Sequence, residues 1–168
     1  RAAHAVALCV SGVLWCALTI MAEQKSDIAG SLVPLTKQQA MLMLEAGYLW
    51  MDMGKPDTAK ELLSAAALLM PKSEVPQLAL GTLEFNQLKF DKALQAFRVA
   101  QKLNPRSSLP RAHCGEALLF MGKVNEAMKE LKAAIELEPK SDGAKFAQSL
   151  IDAKEAGALP PPKAEKKK

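Results

Sequence analysis

Apolar residues recur at helical intervals along most of this chain. Leu62, Leu63, Ala66, Leu69 and Met70 fall on one stripe, and Leu94, Phe97, Ala100 and Leu103 on another. Short polar breaks separate such stripes: "GKPD" at 54–57, "LKFD" at 88–91 and "GKVN" at 122–125. Glycine there suits a left-handed helix C-cap, and Asp57, Asp91 or Asn125 is expected to cap the helix that follows. Thr36 with Gln39 forms a capping box that should open the first helix. The pattern predicts paired helices and an all-α fold.

The pairs are punctuated. "MPKS", "NPRS" and "EPKS" place Pro71, Pro105 and Pro139 at intervals of 34 residues. The residue before a proline avoids helical geometry, so each proline should stop a second helix, with the serine preparing the next cap. Pro76 and Pro110 fit a first helical turn, where no N–H is missed. Aligned on these prolines, three repeats run 40–73, 74–107 and 108–141 without insertion. Position eight is Gly47, Gly81 and Gly115; position twenty is Ala59, Ala93 and Ala127. Position twenty-four is Leu63, Phe97 and Leu131; position twenty-seven is Ala66, Ala100 and Ala134. Small residues let helix axes approach, and the large one fills the space between them. A lone helix pair cannot bury its apolar side, so repeats of this kind must stack. Residues 142–157 are expected to cap the stack, with Phe146, Leu150 and Ile151 inward and charges outward.

Composition changes this picture little. Aromatics make up only 5%, so Leu, Ala and Met must do most of the packing. The net charge of +4 lies largely in the tail, "LPPPKAEKKK", which argues against a basic nucleic-acid face. Residues 158–168 are expected to be a disordered Pro/Lys-rich tail. Cys9, Cys16 and Cys114 form neither a disulfide framework nor a metal spacing.

With small residues at eight, twenty and twenty-seven, a large one at twenty-four and proline at thirty-two, the chain resembles the tetratricopeptide repeat family over residues 36–157. It departs from that family at position four (Met43, Gln77, Arg111) and position eleven (Trp50, Glu84, Leu118). The resemblance implies a solenoid of three helix-turn-helix repeats with a capping helix. It also implies a concave groove lined from the first helices at positions two, five, nine, twelve and thirteen. Those positions hold Met41, Val75 and Leu109; Leu44, Leu78 and Ala112; Tyr48, Thr82 and Glu116; Met51, Phe85 and Leu119; Asp52, Asn86 and Phe120. The lining is mostly apolar. Family members that clamp acidic C-terminal peptides carry Lys, Asn and Arg where this chain has Leu44, Tyr48, Leu109 and His113. The expected partner is therefore a protein or peptide with an apolar segment, extended or helical. A homodimer through the same groove stays open.

Other chemistry finds no footing. His113 and Glu116 can share a helix face, but a metal site needs more ligands. No phosphate loop or catalytic constellation is present, so neither an enzyme, a cofactor nor a small-molecule substrate is expected.

Two readings stand for the N-terminus. Residues 5–22 are uncharged and long enough to cross a bilayer, which makes a signal or anchor. Alternatively "MAEQKSDIAG" from Met21 is a cytosolic start, with residues 1–20 read through from upstream. Residues 23–35 are then a linker. Membrane contact follows only if 5–22 are retained. The stretch "RAHCGEALLFMGKVNEAMKEL" (111–131) and the apolar groove resemble the translocator and needle-subunit chaperones of bacterial type III secretion. That resemblance implies a cytoplasmic chaperone or adaptor; the anchor reading implies a membrane-tethered or periplasmic assembly scaffold.

Overall fold

The computed structural model describes residues 36–158. The apolar segment 1–22, the linker 23–35 and nearly all of the tail lie outside them. Contacts divide the chain into two units, 1–39 and 40–168. Of the first, Thr36–Gln39 show the expected capping box. Thr36 N–H donates to Gln39 Oε1 at 2.8 Å, and Gln39 N–H to Thr36 Oγ1 at 3.3 Å.

Seven helices span the described residues: α1 (Lys37–Asp52), α2 (Pro56–Leu69), α3 (Val75–Asn86), α4 (Phe90–Leu103), α5 (Leu109–Phe120), α6 (Val124–Leu137) and α7 (Asp142–Glu155). In the second unit α3 pairs with α4 and α5 with α6, α2 packs on α3, and α4 packs on α5. Helix α7 closes the series against both α5 and α6. Its Leu150 and Ile151 are buried and Phe146 half-buried, as a capping helix requires.

The small-to-large pairing shapes the stack. Leu63, Phe97 and Leu131 are fully buried. A methyl group added at Gly47 would meet Leu63 Cδ2 at 2.5 Å, and one at Gly115 would meet Leu131 Cδ2 at 2.5 Å. At Gly81 it would collide with the Phe97 ring. Positions eight and twenty-four of each repeat are thus one contact, and the alanines at twenty and twenty-seven beside it are fully buried.

The turns correct the expected caps. Asp57 and Asp91 sit inside the first turns of α2 and α4, and Asn125 inside that of α6; none is an N-cap. The residues at the cap are Lys55, Lys89 and Lys123, without side-chain cap bonds. The two aspartates instead face the positive helix end. The preceding helix ends in the same way each time. Lys55 N–H donates to Trp50 O, Lys89 N–H to Glu84 O and Lys123 N–H to Leu118 O, each at 2.9 Å. This six-to-one bond needs a left-handed residue just before the donor. Gly54 (φ 71°) and Gly122 (φ 78°) supply it, but the second repeat uses Leu88 at φ 60°. A side chain in that conformation costs about 1–2 kcal/mol, so the register of the repeat overrides local preference there.

The Pro-Lys/Arg-Ser triplets are turns. Ser73, Ser107 and Ser141 donate their N–H to Met70 O, Asn104 O and Glu138 O at 3.0, 3.2 and 3.0 Å. Proline thus holds the second position of a hydrogen-bonded turn, where its fixed φ is favourable. Only Ser141 caps a helix as expected, accepting from Ala144 N–H at 3.1 Å. Ser73 Oγ accepts from Val75 N–H at 3.3 Å, with Glu74 at the formal cap. In the third repeat Ser108 holds the cap position.

Candidate functional site

Helices α1, α3 and α5 come first in their repeats, and neighbours among them touch through side chains. Leu44 of α1 shares an apolar cluster with Ala79 and Leu83 of α3. The rings of Phe85 on α3 and Phe120 on α5 meet edge to face at 5.1 Å. Phe90 joins them, 5.2 Å from Phe85 and 5.5 Å from Phe120.

The fifteen sequence-predicted positions divide between the shared surface and the interior. Leu44, Leu78, Ala112 and Leu119 are buried in the helix clusters and offer no docking surface. Position five therefore points inward in all three repeats. Met41 and Val75 are 48% and 43% exposed and Tyr48 37%, while Leu42 and Leu49 of α1 (60% each) and Leu68 of α2 (80%) are more exposed still. Asp52 and Asn86 are exposed as well. Met51, Thr82, Phe85, Leu109, Glu116 and Phe120 are half-buried. Thr82 Oγ1 donates to Leu78 O at 3.0 Å and so is satisfied within its own helix.

Helical spacing adds residues that the position rule omits. Met41, Glu45, Tyr48 and Asp52 follow one another by four, three and four residues, which keeps them on one face of α1. Glu45 is exposed there. The equivalent set on α5 is Leu109, His113, Glu116 and Phe120. His113 Nδ1 lies 3.0 Å from Glu116 Oε2. Its ring stacks on Phe97 at 4.9 Å and meets Phe146 at 5.0 Å, so it bridges α4 and α7. Cross-helix aromatic contacts of this kind leave no trace in the repeat positions.

The electrostatics are mostly structural. Burial alone would raise the Glu84 carboxyl, but the Lys60 hydrogen bond and the charges of Lys60, Lys89 and Lys92 hold it below the usual carboxylate range. Lys60 Nζ reaches Glu84 Oε1 at 2.6 Å and ties α2 to α3. Glu138 is lowered by hydrogen bonds from Ser108, whose N–H donates to its Oε2 at 2.8 Å. The second repeat makes the equivalent tie with other residues: Asn104 Nδ2 donates to Glu74 Oε1 at 2.8 Å. Desolvation raises the Tyr48 hydroxyl. Burial pushes the Cys114 thiol up to about 12, with Glu130 adding to the shift against Arg98 and Arg111, which favours the thiol over the thiolate.

Among the described residues, no group of three or more His, Cys, Asp or Glu is placed to hold a metal ion. No described helix is long and apolar enough to cross a membrane. A shallow depression of about 410 Å³ runs between α6 and α7 beside Ile135, Pro139, Lys145 and Gln148. None of the predicted groove residues lines it.

Residues 113–141 match the family model of the tetratricopeptide repeat. No curated protein sequence matches the chain significantly. Among solved structures, the type III secretion translocator chaperone SycD of Yersinia enterocolitica is 19% identical, with a TM-score of 0.67 over 74% of this chain and 96% of its own. The complex of SycD with a peptide of the translocator YopD gives 18% identity, a TM-score of 0.63, and coverage of 74% and 98%. The first tetratricopeptide domain of Spaghetti (RPAP3), bound to the HSP90 peptide SRMEEVD, is 24% identical, with a TM-score of 0.61 over 74% and 98%. At these identities the likeness concerns the fold alone. The chain carries a tetratricopeptide-repeat signature in its third repeat, and its seven described helices have the fold of a tetratricopeptide-repeat array.

Proposed function

We propose that this chain is a non-enzymatic protein-interaction module that docks an apolar segment of a partner on the face shared by α1, α3 and α5. The observation that supports this reading is the exposure of Met41 and Tyr48 along one face of α1 and of Val75 at the start of α3. Their helices already bury Leu44 and Leu78 elsewhere, so the core does not need them. Exposed apolar side chains grouped on one face favour a docking role.

The finer reading is a cytoplasmic bacterial chaperone or adaptor that shields an apolar segment of an export substrate. The 111–131 stretch and the likeness to a translocator chaperone support it. An assembly scaffold tethered through residues 5–22 is the second reading, favoured by that uncharged run. Affinity capture with mass spectrometry, comparing the native chain with Met41→Asp/Val75→Asp, tests the docking face. A specific partner should be lost on the variant, and its retention would refute the site. Fractionation of the native protein separates the two locations: recovery with membranes favours the scaffold, and recovery in the soluble fraction favours the chaperone.

A further inference from the structure

The docking face is apolar, and its charges are mostly acidic, Lys37 one turn before Met41 being the exception. On α1, Glu45 and Asp52 are exposed and flank Tyr48 one helical turn to either side. On α5, Glu116 stands at the position equivalent to Tyr48, half-buried, with only its Oε2 engaged by His113. The fifteen groove positions contain no Lys or Arg. Three lysines and arginines near these helices are engaged elsewhere among the described residues. Lys55 Nζ sits 4.8 Å above the Trp50 ring, Lys89 Nζ lies 3.9 Å from Glu84 and Arg111 Nη1 3.4 Å from Glu130. The described residues record no ion pair to Glu45 or Asp52.

We propose that the segment docked on this face is an apolar stretch interleaved with basic residues, and that acidic segments are rejected. The inference rests on the docking reading above and names the partner's chemistry. Met41, Tyr48, Val75 and Phe85 supply apolar contact, with methionine adapting to the shape it meets. Lysine or arginine between the partner's apolar residues would reach Glu45 and Asp52 at one end and Glu116 at the other. An acidic segment would instead bring like charges together at Glu45, Asp52 and Glu116, with only Lys37 at the start of α1 to offset them. This is the reverse of the HSP90 peptide SRMEEVD seen on the RPAP3 domain, which carries three carboxylate side chains.

The test uses the full chain and labelled peptides on one Leu/Met/Ala frame, with the interleaved polar positions all Lys, all Gln or all Glu. Fluorescence anisotropy at low salt reads their affinities. An exposed carboxylate–lysine pair is worth a factor of a few, so the Lys peptide should bind roughly tenfold tighter than the Glu peptide, with Gln between. Added salt should narrow that ratio. In the variant Glu45→Gln/Asp52→Asn/Glu116→Gln the ratio should fall toward one. Equal affinity for all three peptides, or a preference for Glu, overturns the charge inference while the docking reading stands. Binding of none of them, by a chain whose circular dichroism shows it folded, overturns both. A Lys preference undiminished in the variant also overturns the inference, because it would place the attraction elsewhere on the chain.

Discussion

Position eight of each repeat faces a large side chain across a gap with no room for a methyl group, whereas positions two and nine of the first repeat and two of the second carry large side chains that stay partly exposed. Gly47, Gly81 and Gly115 belong to the first region, locked against Leu63, Phe97 and Leu131. Met41, Val75 and Tyr48 belong to the second, each more than a third exposed. The first region spans α1, α3 and α5, and the second lies on α1 and α3. The contrast separates the work of the chain: the seam holds the helices together, and the shared face is left to meet something else.

The largest effects should come from breaking the seam. Phe97 is fully buried and stacks on His113, so Phe97→Ala should cost about 3–5 kcal/mol, read as a lower midpoint in denaturant unfolding. Gly81→Val forces a side chain into the Phe97 ring and should cost about 1–3 kcal/mol by the same measurement. At the end of the stack, Ser141→Ala removes the cap on the α7 amide of Ala144 and should cost about 1 kcal/mol. Leu88→Gly should act in the opposite sense. It relieves a left-handed side chain and should stabilise by about 1 kcal/mol or less, the freedom glycine gains in the unfolded chain offsetting part of the gain.

Acid should loosen the ties between elements. Glu84 and Glu138 have carboxyls lowered in the folded state, so they bind protons less readily there than when unfolded. Their contribution is present above the unfolded carboxylate value of about 4.3 and fades as pH falls through the lower folded values. Glu84→Gln should therefore flatten the acid limb of the stability curve, measured as the unfolding midpoint against pH.

Much of the seam was legible in the sequence, because packing a helix pair needs small and large residues at fixed intervals. The stops were legible for a similar reason: proline constrains its own φ and the residue before it. The helix starts were less so. Asp57 and Asp91 looked like caps, but the six-to-one bond that ends the first helix pulls the next start back, leaving them inside the first turn. Of the groove positions, two, nine and thirteen gave exposed or half-buried side chains, and position five did not. A repeat position fixes an angle around the helix, while burial also depends on the size of the neighbours. Leu44, Leu78 and Ala112 each face inward, into an apolar cluster shared with buried alanines. The bridge from Phe97 through His113 to Phe146 joins three helices and could not be read from one repeat at a time.

The smallest stability effect belongs to the face, and it carries the central claim. Met41→Asp with Val75→Asp changes only exposed positions, so the unfolding midpoint should move by no more than about 0.5 kcal/mol per site. Binding of an apolar peptide, measured by anisotropy on the same sample, should be lost. A variant that keeps both its stability and its peptide affinity would contradict a docking face on α1, α3 and α5. One that loses several kcal/mol would show that these side chains belong to the core after all.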